Sequence, residues 1–163
     1  MATTRKEFFP DGAHFPTANF PAQVVLASGG NRLTLAYDAA VDETAYWSMI
    51  APQGVTGALS LKVHYCMASA TTGAVYFQAQ VEAITPADAT DLDAGTSFDT
   101  ANSGNGTVPA TAGYEQVISI TLTAKDNWTD GDLIRIALSR DADNASDTAT
   151  GDALFLAAEL QEA

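Results

Sequence analysis

Short stretches of alternating apolar and polar residues, separated by turns rich in Gly, Asp, Asn and Thr, constrain the fold of this chain more than any other feature. In the stretch LSLKVHYCM, for example, apolar residues occupy every second position. A period of two puts successive side chains on opposite faces of a strand, as a sheet with one buried face requires. Eight strands are predicted in this way, at 31–37, 44–50, 59–67, 74–84, 96–100, 116–124, 133–140 and 153–161.

The length of the chain fits a single domain with one hydrophobic core. At 163 residues, folding buries roughly two thirds of the surface that the unfolded chain exposes. Helix-length amphipathic patterns are not found in the sequence. We therefore predict an all-β fold, an antiparallel β-sandwich of eight strands, in which the fifth strand depends mainly on Phe98.

The first thirty residues differ in character from the rest, because three Phe-Pro pairs recur there at short intervals, with the rings at Phe9, Phe15 and Phe20. Proline restricts its own φ and pushes the preceding residue into extended geometry. The pattern predicts an extended N-terminal arm at 1–30, joined at a hinge around 28–31 to a sandwich domain at 31–163. Two interpretations stay open: the rings cover an end of the protein's own sandwich, or they anchor the arm on a neighbouring subunit or host lattice.

The charge of the chain limits its partners. Twenty acidic residues against seven basic ones give a net charge of −13. Such a surface repels nucleic acid and anionic lipid, so we expect neither as a partner. The N-terminus has basic residues but no apolar run after them, which predicts no signal peptide and no membrane anchor.

The segment at 85–113 is a long polar connection. A connection of this length in a compact domain is functional or poorly ordered. It either crowns one end of the sandwich as a binding surface or crosses between the sheets with a short edge strand at Phe98.

A second polar segment, between Ser139 and Asp152, holds the densest cluster of carboxylates. Calcium takes six to eight oxygen ligands, which such a segment could supply. The spacing lacks the central Gly and terminal Glu of an EF-hand loop, and Asp and Asn also favour turns through local hydrogen bonds. We predict turn chemistry and no metal site, with calcium as the alternative.

Catalytic groups are sparse. Neither His14 nor His64 has a recognisable nucleophile or carboxylate partner nearby in the sequence, and Cys66 lies within an alternating strand, as expected of a small packing residue. Phosphate-binding glycine loops and Cys/His metal motifs are absent from the sequence. The prediction is a non-enzymatic protein without catalytic residues or cofactors.

Two regions resemble a group of small structural proteins of tailed bacteriophages. The first runs from Ala51-Pro52 and Gly54 through the stretch SATTGAVYF, and the second comprises GDLIRI followed by SRD and GDA. The resemblance covers 31–159 and leaves the arm unmatched. It implies an eight-stranded jelly roll located in the virion, as a capsid decoration (cement) protein or as a fibre or knob module. Such proteins are commonly homotrimers, and the implied partner is the major capsid protein or another virion protein.

The alternative function is carbohydrate binding, either as a receptor-binding tip or as a separate β-sandwich module. A site of this kind needs an exposed aromatic ring beside carboxylate and amide groups. Trp128, in the turn at 125–131, is the ring that the sequence predicts to be exposed.

Overall fold

Ten strands form almost all of the regular structure in the computed structural model, which describes residues 2–26, 28 and 30–163. Among the described residues, the 3-10 turn at Pro10–Gly12 is the one helical element. No described helix is long and apolar enough to cross a membrane. The strands are β1 Thr3–Phe8, β2 Ala22–Leu26, β3 Arg32–Tyr37, β4 Glu43–Ile50, β5 Leu59–Met67, β6 Ala74–Ile84, β7 Asn102–Thr107, β8 Gln116–Thr121, β9 Leu133–Arg140 and β10 Ala153–Glu162.

The strands form two antiparallel sheets. The six-stranded sheet has the order β2-β3-β10-β5-β8, with β1 also paired to β10, and the four-stranded sheet has the order β4-β9-β6-β7. The all-β fold and the sandwich of two antiparallel sheets are thus confirmed. Seven of the eight predicted strands are present, with ends within three residues of the predicted ones.

Aromatic rings from both sheets meet in the core between them. The ring of Tyr37 on β3 lies 5.5 Å from Phe77 on β6, and Trp47 on β4 lies 5.2 Å from Phe155 on β10. The predicted alternation decides which residues point inward: those at 59, 61, 63 and 65 of β5 are all buried. Burial of this apolar surface is the main favourable contribution to folding.

The prediction of a fifth strand at 96–100 is wrong, and the strand lies instead at β7. Gly104 and Gly106 let β7 approach β8 closely, because a Cβ at Gly104 would lie 2.8 Å from the carbonyl oxygen of Ser119. A sequence of Asn, Ser and Gly has low strand propensity and is typical of a turn. It becomes a strand through antiparallel pairing with β6 and close packing against the other sheet. Phe98 stacks on Tyr46 with ring centroids 5.8 Å apart.

The N-terminal segment pairs with both sheets of its own sandwich. Where an extended arm was predicted, β1 pairs with β10 and β2 pairs with β3. Between these strands, His14 exchanges two backbone hydrogen bonds with Tyr46 on β4, at 2.8 and 2.9 Å. The segment therefore crosses from one sheet to the other and back, and we call residues 9–21 the crossing segment. The domain boundary at residue 30 stays a prediction, and the predicted hinge includes Gly29, which lies outside the described residues.

Candidate functional site

A groove lies over β10 in the six-stranded sheet. β3 pairs with β10 as far as Phe155, and β1 pairs with it from Ala158 onward. Leu156 and Ala157 therefore have no strand partner on this edge, and the register against β5 also shifts between Phe155 and Ala157. Bulges of this kind are frequent next to binding sites. The cavity measures about 510 Å³ and is lined by Glu7, Phe9, Arg32, Leu33, His64, Glu115 and residues 156–159.

A network of hydrogen bonds orients the polar side chains of this β10 groove. Nδ1 of His64 lies 2.6 Å from Oε1 of Glu115, and its Nε2 lies 3.5 Å from Oε1 of Glu159. The hydroxyl of Thr4 donates to Glu159 at 2.8 Å. This hydrogen bond, with smaller contributions from Gln161 and His64, lowers the pKa of the Glu159 carboxyl. Each of the three groups is thus held in position by a neighbour on another strand or turn.

A second cavity of about 290 Å³ shares Arg32, Glu115 and Leu156 with the β10 groove. Cys66 also lines this cavity, but it is buried in a small apolar cluster with Ala36 and Leu154, separate from the main core. Burial raises the pKa of the Cys66 thiol, which disfavours the reactive thiolate.

The outer face of the four-stranded sheet carries an apolar row. Ile50, Leu133 and Ile84 are directly paired across β4, β9 and β6. Ile50 is 63% exposed and Leu133 is 38% exposed. Apolar side chains that lie side by side on an outer face leave surface that another protein surface could cover.

The three phenylalanines predicted as arm anchors differ in exposure. Phe9 is 50% exposed and lines the β10 groove, while its backbone carbonyl accepts a 2.9 Å hydrogen bond from Nε1 of Trp47. Phe20 is 43% exposed, and its ring centroid lies 5.6 Å from that of Phe15. Phe15 is half-buried and packs against the core. Two of the three rings are thus available to a partner.

Trp128, predicted as an exposed ring, is half-buried. Its side chain packs against the main core, and its indole nitrogen is buried. The turn at 125–131 folds back on the sandwich because the carboxylate of Asp132 accepts hydrogen bonds from the backbone and hydroxyl of Thr129, at 2.8 and 3.0 Å. Trp128 therefore extends the core instead of standing free as a platform.

The acidic segment at 139–152 is organised around a buried ion pair. Arg140 donates to both carboxylate oxygens of Asp147, at 2.7 and 2.9 Å, and also to the backbone carbonyls of Tyr37, Ala149 and Gly151. Both carboxylate oxygens of Asp147 are thus used in hydrogen bonds that hold the turn. The carboxylates of Asp42, Asp141 and Asp143 lie within 4.8 Å of one another, a grouping that exposed acids often form without an ion. The absence of a metal stays a prediction.

Sequence reasoning did not find most of the β10 groove. Glu7, Arg32, His64, Glu115 and Glu159 come from five separate parts of the chain. No local motif connects them, because the pairing of β1, β3, β5 and β8 around β10 brings them together. The one residue shared between prediction and groove is Phe9, which the Phe-Pro pattern indicated.

Comparison with known proteins identifies no family for this chain. No family model matches the chain, and no curated protein matches it. Among solved structures, the carbohydrate-binding module TmCBM61 in complex with beta-1,4-galactotriose aligns with 100% of this chain and 88% of its own, at 12% identity and a TM-score of 0.40. Both values are too low to support an argument about either the strand topology or the function of this chain.

Proposed function

We propose that this protein is a non-enzymatic structural protein of a bacteriophage virion, with a jelly-roll fold, and that it is a decoration protein on the capsid surface. The observation that carries the proposal is the order of the strands. With β3 to β10 counted as eight successive strands, one layer holds the first, eighth, third and sixth, and the other holds the second, seventh, fourth and fifth. This order agrees with that of a jelly roll, an architecture common in viral capsid proteins, and so supports the proposed fold.

A decoration protein needs surfaces that bind a repeating lattice. Phe9 and Phe20 supply two half-exposed rings on the crossing segment. Aromatic rings bury a large area at low entropic cost, which favours them as anchors. In a homotrimer, joining three modest contacts raises the apparent affinity by about 10²-fold or more through effective concentration. The apolar row is the surface that we assign to association between subunits.

Labelling of intact particles tests this proposal. Antibodies against the protein should decorate virions of the phage that encodes it, and electron microscopy should locate the label on the head. Label on the tail would favour a fibre or receptor-binding knob, whereas unlabelled particles that also lack the protein by mass spectrometry would contradict a virion role.

Rebinding tests the aromatic anchors. Purified protein should cosediment with particles stripped of it, and the double variant Phe9→Ala/Phe20→Ala should lose this binding while remaining folded. Tyr114→Ala removes another strongly exposed ring outside the N-terminal segment and is the matched control. Equal cosedimentation of all three proteins would contradict the assignment of these rings.

Carbohydrate binding is the second candidate function. The observation that favours it is the β10 groove, in which an exposed ring lies with carboxylates, a guanidinium and an imidazole on one face of a sheet. A receptor-binding knob of a virion and an independent sugar-binding module are both compatible with such a groove, since both present a rigid sheet face to a ligand.

A further inference from the structure

We propose that the β10 groove binds an uncharged saccharide, with Phe9 as the stacking ring and with Arg32, His64 and the carboxylates of Glu7, Glu115 and Glu159 as hydrogen-bonding partners. This inference rests on the second candidate function and is independent of the virion role.

The shape of the groove fits a small ligand. Its volume of about 510 Å³ lies within the roughly 300–1,000 Å³ of small-molecule sites. The floor is formed by β10, where Leu156 and Ala157 lack a partner on the edge that β1 and β3 share, so the depression is built into the strand register. Four of the polar groups lie on strands, which hold side chains more precisely than loops do, and Phe9 and Glu115 lie directly beside the ends of β1 and β8.

The chemistry of the lining matches a polyhydroxyl ligand. Each sugar hydroxyl both donates and accepts a hydrogen bond, so a site needs donors and acceptors side by side. Arg32 is exposed and supplies guanidinium donors, while the carboxylates of Glu7, Glu115 and Glu159 supply acceptors. The network of Thr4, Glu159, His64 and Glu115 orients three of these groups before any ligand arrives, which reduces the entropic cost of binding.

The composition of the lining disfavours anionic and purely apolar ligands. An anionic ligand would meet three carboxylates in the groove and a protein of net charge −13. The carboxylates would attract a cationic ligand, although Arg32 would repel it and two of the carboxylates already contact His64, so a basic peptide is the competing ligand in the test. A purely apolar ligand would strip water from these charged groups without replacing their hydrogen bonds. An uncharged ligand with many hydroxyls, stacked on Phe9, avoids each of these costs.

A glycan array tests the inference. Labelled protein should bind neutral oligosaccharides on an array that also carries sialylated and sulfated ones, and calorimetry should then give the affinity for the best neutral ligand. Phe9→Ala and Arg32→Ala should each weaken this affinity by about tenfold or more, as truncation of a central contact does. The control Leu92→Ala removes an exposed side chain beside the four-stranded sheet and should leave the affinity for this ligand unchanged.

Circular dichroism melting of every variant separates loss of binding from loss of fold. The inference is overturned if no neutral oligosaccharide binds, if Phe9→Ala and Arg32→Ala bind as the unmodified protein does, or if only sulfated glycans or a decalysine peptide bind with strong salt dependence. Particle labelling without saccharide binding would leave the virion role standing and remove this inference. Saccharide binding without particle labelling would support this inference and contradict the virion role.

Discussion

At the scale of single residues, the ion pair of Arg140 and Asp147 is the most demanding feature of the sandwich, because both side chains are almost completely buried. Arg140→Met should destabilise the protein by about 3–5 kcal/mol, since it leaves the Asp147 carboxylate buried without its partner. Urea unfolding measures this loss. The control is Arg32→Met at an exposed arginine, whose free energy of unfolding should lie within about 0.5 kcal/mol of that of the unmodified protein. An equally small effect of Arg140→Met would contradict the structural role of the ion pair.

Glu162 gives the protein an acid-sensitive contact. Its carboxylate accepts hydrogen bonds from the backbone of Gly57 and Thr56 and pairs with Arg5, and these contacts lower its pKa to about 2. Because the folded-state pKa is below that of the unfolded chain, the stabilisation is present above about pH 4.5 and is lost as the pH falls toward 2. Urea unfolding should find Glu162→Gln less stable than the unmodified protein at pH 7, and the difference should shrink at pH 3.

The exposed Glu7 on the same strand as Arg5 provides the control for this substitution. Glu7→Gln should give a much smaller loss of stability than Glu162→Gln at pH 7. If the effect of Glu162→Gln were the same at pH 7 and at pH 3, its hydrogen bonds to residues 56 and 57 would not be the source of the stabilisation.

At the scale of elements, the crossing segment protects a sheet edge. The bridge between His14 and Tyr46 and a 2.9 Å hydrogen bond from Thr44 to Asn19 cover the outer edge of β4. Unpaired strand edges promote association with other chains. His14→Pro removes the backbone donor to Tyr46 and should cost about 1–3 kcal/mol, with faster proteolysis between residues 9 and 21.

His14→Ala keeps the backbone donor and is the matched control, so it should resist proteolysis as the unmodified protein does. If His14→Pro were cleaved no faster than His14→Ala, the backbone bridge would not be what holds the crossing segment on β4.

At the scale of the whole molecule, the proposed homotrimer makes a prediction about mass. Light scattering during size exclusion should give about three times the chain mass of 17.0 kDa. Charges placed in the apolar row, by Ile50→Lys/Leu133→Lys, should return the protein to the mass of one chain because buried unpaired charges are costly. Val41→Lys, on another exposed apolar residue, should remain trimeric. A monomeric unmodified protein would contradict the trimer, and a trimeric double variant would exclude the apolar row as its interface.

The sequence by itself determined which residues form most of the strands and which of their side chains face the core. Alternation over 59–67 and 133–140 predicted both strands to the residue, because a strand buried on one face needs an apolar residue at every second position. The Phe-Pro pairs likewise indicated Phe9, which lines the candidate groove.

Only the tertiary structure decided what has no local pattern. β7 is a strand because it pairs with β6 and because Gly104 can lie against the backbone of β8, two contacts that its own propensity does not encode. The N-terminal segment pairs with β10, β3 and β4 because those strands offer free edges in the folded sandwich. The β10 groove exists because β1 and β3 pair with one edge of β10 and leave a gap between them. These features depend on hydrogen bonds and contacts between residues distant in sequence, which form only once the sheets assemble.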